Sequence, residues 1–270
     1  MNRFNLLGLL SSTRKNRFVL SQLTRAEILT RYRGSVLGLA WSILNPLFML
    51  VVYSLVFDFL LKVRWAVKTP EETPYALALF AGILVHAFFS DCLVQSTTSI
   101  SKNSNFVKKI VFPLEVLPIV TVTSAVFNLL LSIVIFLLAI LFFGSNLHIT
   151  LLLTPIVLLP FIIFVLGMSY MLGAVGVYIK DISQVAGMLS TMFLFLSPVL
   201  YPLSVLPEKI QTIAMLNPLS FIIEQLRAVA LEGNMLDWQG YFVYLLVSLL
   251  FLSLGYAIFQ KTRKGFADAI

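Results

Sequence analysis

The hydrophobic positions of this chain come mainly in long blocks, with little spacing typical of a soluble helix or strand. Residues 41–61 form an apolar run whose one charged residue, Asp58, lies near its far end. At 1.5 Å of rise per residue such a run covers about 30 Å, the thickness of a bilayer's hydrocarbon core. Further runs follow at 75–94, 116–143, 149–178, 185–201 and 241–259, separated by short polar stretches. The pattern predicts an all-α polytopic membrane protein with six transmembrane helices. Continuous runs of this kind are foreign to a membrane barrel, whose strands alternate.

The interruptions are informative in themselves. Pro46 removes a hydrogen bond early in the first run, where a kink is expected. Residues 62–75 form a polar link holding Pro70 and Pro74. Residues 95–109 are rich in Ser, Thr and Asn and end in Lys108-Lys109, with Phe106, Val107 and Ile110 spaced for a short amphipathic helix. Gly144-Ser145-Asn146 reads as a tight turn. Residues 202–237 are apolar but broken by Pro202, Pro207 and Pro218, which predicts two short helices at 208–216 and 219–231 dipping into the membrane as a re-entrant hairpin. Asn217-Pro218 fits an N-cap followed by proline at the first helical position, and Gly233 a stop.

Upstream of residue 41 the chain is polar and basic, with seven Lys or Arg residues against the single acid Glu27. Val19, Leu23, Ala26 and Thr30 recur at helical spacing. This segment is either an amphipathic helix beside anionic lipid or an ordinary basic flank, and both readings put it in the cytoplasm. With six spans, fourteen of the nineteen Lys and Arg residues fall on the side of the two termini and five on the other. That bias predicts cytoplasmic termini and an external hairpin. One domain is expected: an interface region at 1–40, a bundle at 41–259 and a cytoplasmic tail at 260–270. The first 35 residues lack the apolar core of a signal peptide, so the N-terminus is expected to stay untranslocated.

Composition agrees, at 59% hydrophobic and 11% charged with a mean hydropathy of +0.97. The net charge of +7 flanks the spans and so points to topology, with no nucleic-acid partner expected. The single cysteine, Cys92, rules out an intrachain disulfide and implies no metal cluster. Catalytic constellations are scarce: the histidines are His86 and His148, and neither H-E-x-x-H nor G-x-S-x-G occurs. Asp58 and Asp91 lie near the ends of their runs, where pairing at the interface is a better reading than a midplane ion relay. No phosphate-binding G-x-x-x-x-G-K-[ST] loop is present, so any ATP that drives the protein is expected on a separate subunit. Most aromatics must face lipid or pack between helices. A few in the first and fifth spans (Trp41, Phe48, Tyr53, Phe57, Phe193 and Tyr201) could line a conduit, where flat rings suit the C–H faces of sugars.

The stretch Arg31-Tyr32-Arg33-Gly34-Ser35-Val36-Leu37-Gly38, followed by Trp41-Ser42-Ile43-Leu44-Asn45-Pro46, resembles the approach to the first span in membrane subunits of ABC type-2 polysaccharide exporters. Asn105 to Lys109 with Phe112-Pro113-Leu114-Glu115, Tyr178-Ile179-Lys180-Asp181, Ser197-Pro198-Val199 and Asn217-Pro218 with Arg227 extend the likeness along the chain; Lys180 stands where an arginine would be expected. The resemblance implies a homodimeric permease of the O-antigen and teichoic-acid export family in the bacterial inner membrane. It would pair with two ABC ATPase subunits, which hold ATP and Mg, leaving no cofactor in this chain. Contacts to the ATPase would come from Arg25, Arg31, Arg33, Asn105, Phe106, Lys108 and Lys109. Pro207, Asn217, Pro218 and Arg227 would belong to an external gate. The cargo would be an undecaprenyl-diphosphate-linked glycan, with teichoic acid, capsular polysaccharide or a small lipophilic solute as alternatives within transport. A lipid-modifying membrane enzyme is the alternative of another class.

Overall fold

A computed structural model describes residues 6–62, 74–107, 112–143 and 147–269. Its regular elements are helices. Two of them, α1 (Leu6–Lys15) and α2 (Arg17–Arg31), occupy the basic N-terminal region. The first span is α3 (Trp41–Tyr53), which runs through Pro46 and widens into a π-helical stretch at Ser54–Leu60. Then come α4 (Tyr75–Thr98), the short α5 (Ser104–Val107), α6 (Val116–Phe142) and α7 (Thr154–Tyr178), the last preceded by a 3-10 stretch at Ile149–Leu153. The chain continues through α8 (Ile182–Leu196), α9 (Glu208–Met215), α10 (Pro218–Ala230), α11 (Trp238–Thr262) and α12 (Phe266–Ala269). The polar link with Pro70 and the Gly144-Ser145-Asn146 turn fall on or across residues outside those described.

Among the described residues five helices are long and apolar enough to cross a bilayer, and α8 falls short of that measure. The run at 185–201 was expected to make a full fifth span. Instead the helix begins three residues earlier and stops at Leu196, giving 15 residues. That is about 22 Å of helix. The reason is Pro198, which disfavours helical geometry in Ser197, the residue before it; Ser197 is extended at φ −95°, ψ 157°. Parity nevertheless requires a sixth pass, and α8 makes it. Tyr178, just before it, donates to the Thr262 carbonyl at the tail end. Pro198 and Val199, just after it, share Arg227 with Ala78 at the start of α4. Ser12 of α1 and Arg263 after α11 both reach Glu115 at the foot of α6, so the two ends of the chain meet at one end of the bundle. Five passes would leave them apart.

The expected hairpin is present: α9 and α10 meet at an angle of 100°. Asn217 caps α10, its side-chain oxygen accepting from the Leu219 amide at 2.9 Å, and Pro218 takes the first helical position. Gly233 follows with φ +69°, a left-handed conformation that glycine adopts without penalty. The final span is longer than its apolar run because Asp237 caps it from outside, accepting from the Gly240 amide at 3.1 Å.

Helix α4 is the centre of the bundle and packs against α3, α6, α7, α8 and α10. Membrane helices gain nothing from leaving lipid for one another's apolar surfaces, so close approach and polar contacts must hold them. Small residues provide the approach. Gly167 and Gly255 bring the α7 and α11 backbones together, and a Cβ on Gly167 would stand 2.7 Å from the Leu252 Cα. Gly176 lies against the Thr97 backbone in the same way. The hydroxyl of Ser96 donates to Ser169 at 2.8 Å, deep between α4 and α7.

Replacing Gly255 by Val should force α7 and α11 apart, because the new side chain would overlap the Gly167 carbonyl. The expected loss is about 1–3 kcal/mol or more. It should appear as a lower aggregation temperature of the detergent-solubilised protein in size-exclusion profiles, and an unchanged profile would contradict the close crossing.

Candidate functional site

At the end of the bundle where the termini meet, α2 packs against α6 and reaches α4 through its last residue. Its last residue, Arg31, turns inward, and its Nη1 donates to Asp91 Oδ2 at 2.6 Å with both side chains about three-quarters covered. Burial alone would lower the guanidinium's pKa; the carboxylate outweighs it and holds the group above its ordinary value, so Arg31 stays charged. Next to it, Tyr32 Oη reaches Asn128 Oδ1 on α6 at 3.4 Å. The pair explains why a carboxylate is tolerated in an apolar segment: its partner comes from 60 residues away on a different helix.

Beside this pair a cleft of about 520 Å³ opens between α2 and the foot of α4, lined among others by Leu23, Glu27, Arg31, Gln95, Lys102 and Phe106. Lys102 Nζ donates to Gln95 Oε1 at 2.9 Å across it. Phe106 stacks on Phe112 with ring centroids 4.5 Å apart, closing the base of the loop that joins α5 to α6. Of the residues expected to meet an ATPase, Arg25, Arg33 and Asn105 are exposed, Phe106 is half-buried and Arg31 is engaged with Asp91. Lys108 and Lys109 lie outside the described residues.

Glu115 ties this end together and was not singled out by any sequence signal beyond its place in a motif. Its Oε1 accepts from the Ser12 hydroxyl at 2.8 Å, its Oε2 from Arg263 Nη1 at 2.7 Å, and its backbone carbonyl from Tyr170 Oη at 2.7 Å. One carboxylate thus joins the N-terminal helix, the C-terminal tail and the foot of α6.

The opposite end is organised by Arg227 of α10, which is 2% exposed. Its Nε donates to the Ala78 carbonyl at 2.9 Å, Nη2 to Val199 at 2.9 Å, and Nη1 to both Pro198 at 2.6 Å and Glu224 Oε1 at 3.1 Å. Room for the guanidinium comes from Gly82, where a Cβ would stand 2.9 Å from Nη2. Asn217 Nδ2 donates to Ser197 Oγ at 2.9 Å, the Pro218 carbonyl accepts from Tyr244, and Pro207 opens α9. The four residues expected at a gate therefore occupy one hairpin, but only Arg227 fastens it to both α4 and the end of α8.

The aromatics expected along a conduit are not one cluster. Tyr53 and Phe57 lie together, and Phe57 stacks on Tyr75 at 5.0 Å. The π-helical stretch places Asp58 so that Oδ1 accepts from the Ala76 amide at 3.3 Å, capping α4 from a neighbouring helix. Phe193 packs edge-on against Phe89 inside the protomer, and Tyr201 Oη bonds back to the Phe195 carbonyl. Trp41 and Phe48 are open, at 40% and 67% exposure.

Fold and site together define a multi-span, all-helical membrane protein with a basic, polar end where the termini meet and a helical hairpin at the other end. The chain belongs to the ABC-2 type transporter family, whose pattern matches residues 19–231. It is similar to the O-antigen export system permease protein RfbA of Myxococcus xanthus, 30% identical over 257 residues that cover 94% of this chain and 96% of that protein. The RfbA protein of Klebsiella pneumoniae is 26% identical over 92% and 93% of the two chains. The polysialic acid transport protein KpsM of Escherichia coli is 22% identical over 88% and 91%.

Replacing Arg227 by Ala should strand three carbonyls and one carboxylate that it now satisfies. Leaving a buried acceptor without its donor costs about 1–3 kcal/mol for each group. The expected result is a markedly less heat-stable protein that Arg227→Lys rescues poorly, since a single ammonium cannot span the same acceptors. Equal stability of Arg227→Lys and the parent would refute the forked clamp.

Proposed function

We propose that this chain is the membrane subunit of an ATP-driven exporter that carries lipid-linked O-antigen polysaccharide across the bacterial inner membrane. The observation that carries the reading is its similarity, over nearly the whole of both chains, to permeases named for O-antigen export. Membership of an ABC family supports an ABC ATPase partner, and the chain's lack of a phosphate-binding loop of its own is in keeping with that division. The family's general plan supports two copies of each subunit, with ATP and Mg held by the ATPase. Arg14, Lys15, Arg17, Arg25, Arg31, Arg33, Lys102, Lys180, Lys261, Arg263 and Lys264 crowd the end where the termini meet, which supports a cytoplasmic placement of that end.

On this reading the ATPase docks at the cleft beside α2 and on the loop beyond α5. Its movement reaches the spans by two routes, through Arg31–Asp91 to α4 and through Glu115 to α6 and the tail. The α9–α10 hairpin, held by Arg227, closes the external side. The similarity to KpsM favours a second reading within the same class, export of a capsular glycan such as an acidic polymer.

Deleting the gene should abolish surface O-antigen while lipid-linked glycan accumulates inside; an unchanged surface glycan would overturn the reading. Replacing Lys108 and Lys109 by Glu should weaken co-purification with the ATPase and lower export in proportion. Full export with both lysines reversed in charge would remove that loop from the docking surface.

A further inference from the structure

The uncovered surface of α4 is more polar than that of the other long spans. Eight residues of the helix are incompletely buried, at 83, 86, 87, 90, 91, 94, 95 and 98, a stripe at helical spacing on a helix otherwise wholly enclosed. Five of these eight are polar: His86, Ser90, Asp91, Gln95 and Thr98. Elsewhere the uncovered faces of long spans are mainly hydrocarbon: Leu130, Val134, Leu138 and Leu141 on α6, where Thr123, Asn128 and Ser132 are also incompletely buried, and Phe242, Val243, Leu246 and Leu250 on α11, with Ser253 beside them. Lipid would be an expensive neighbour for the α4 stripe and a natural one for the others.

Neighbouring helices flank the stripe. On one side stands α8, whose Ser190 accepts through its carbonyl from His86 Nε2 at 3.0 Å and shares a short hydroxyl–hydroxyl bond with Ser90. On the other side stand α3 and the inward end of α2, with Arg31 neutralising Asp91. The stripe therefore presents hydrogen-bonding groups with its formal charge paired. A second ring nitrogen on His86 and spare lone pairs on Ser90 remain for exchange with a ligand. Such a surface complements a neutral polyhydroxylated chain and offers no free site to a metal ion or a bare anion.

We propose that this stripe of α4, centred on His86 and Ser90, is the water-filled wall along which the glycan passes. The proposal rests on the export reading above and extends it to residues of the second span.

The test introduces cysteines one at a time into the full transporter with its ATPase, in spheroplasts. The native Cys92 is fully buried and serves as a silent background. Ala87→Cys and, should that variant fail to assemble, Ile83→Cys lie on the stripe; Leu246→Cys on α11 is the lipid-facing control. Each variant is treated with a charged, membrane-impermeant methanethiosulfonate and compared with its own untreated sample. The expected result is modification of the stripe cysteine with loss of glycan export, and no modification at Leu246→Cys. An unreactive stripe cysteine overturns the proposal. Oxidative cross-linking of that cysteine to a second copy would then show protein covering the stripe, and its absence would leave lipid. A modified cysteine with undiminished export overturns the glycan path while leaving the export reading in place. Surface glycan that persists when the chain is deleted overturns the export reading itself, whatever the labelling shows.

Discussion

A membrane interior offers a broken helix no water, so every backbone group freed by a break must find a partner within the protein. Here that constraint falls on Arg227. The helix of the fifth span stops at Ser197-Pro198, and the carbonyls of Pro198 and Val199 are left without intrahelical partners; the guanidinium takes both, and adds the Ala78 carbonyl near the start of α4. A planar group with five donors suits this task as no other side chain does. The short fifth span, the 100° hairpin and the first turns of the central helix are therefore held as one unit by a single residue. Gly82 exists at that point because nothing larger would leave space.

The other end of the bundle solves a different problem, that of joining a basic, wet interface to apolar spans. Two carboxylates do this. Asp91 fixes the end of α2 to the central helix, and Glu115 gathers the N-terminal helix, the tail and the foot of α6. Pairs with this degree of cover are less screened than exposed ones, so they can transmit position as well as supply charge balance. Arg31 ties α2 to α4, and Phe106 at the end of α5 stacks on Phe112 just ahead of α6.

Much of this was legible in the residues, and the remainder was hidden for definite reasons. Block hydrophobicity located each long span, and Asn217-Pro218 with Gly233 marked the hairpin's second helix, because caps act locally. The end of the fifth span was misplaced. Its apolar character continues to Leu200, while the helix obeys Pro198. Arg227 was expected at a gate, but its acceptors are backbone carbonyls, which carry no residue identity and leave no trace in a sequence. Asp91 needed a cation, and seven basic residues preceded the first span; only the fold could select Arg31. The role of Glu115 depends on contacts more than 100 residues distant, beyond any local pattern.

The central claim is that this chain provides the passage through the bilayer and a partner subunit provides the energy. The most direct measurement is ATP-dependent movement of lipid-linked glycan in proteoliposomes containing the purified chain, with and without the ABC ATPase. The account predicts ATP hydrolysis and glycan translocation only when both subunits are present. Hydrolysis or translocation driven by ATP in vesicles holding this chain alone would contradict it.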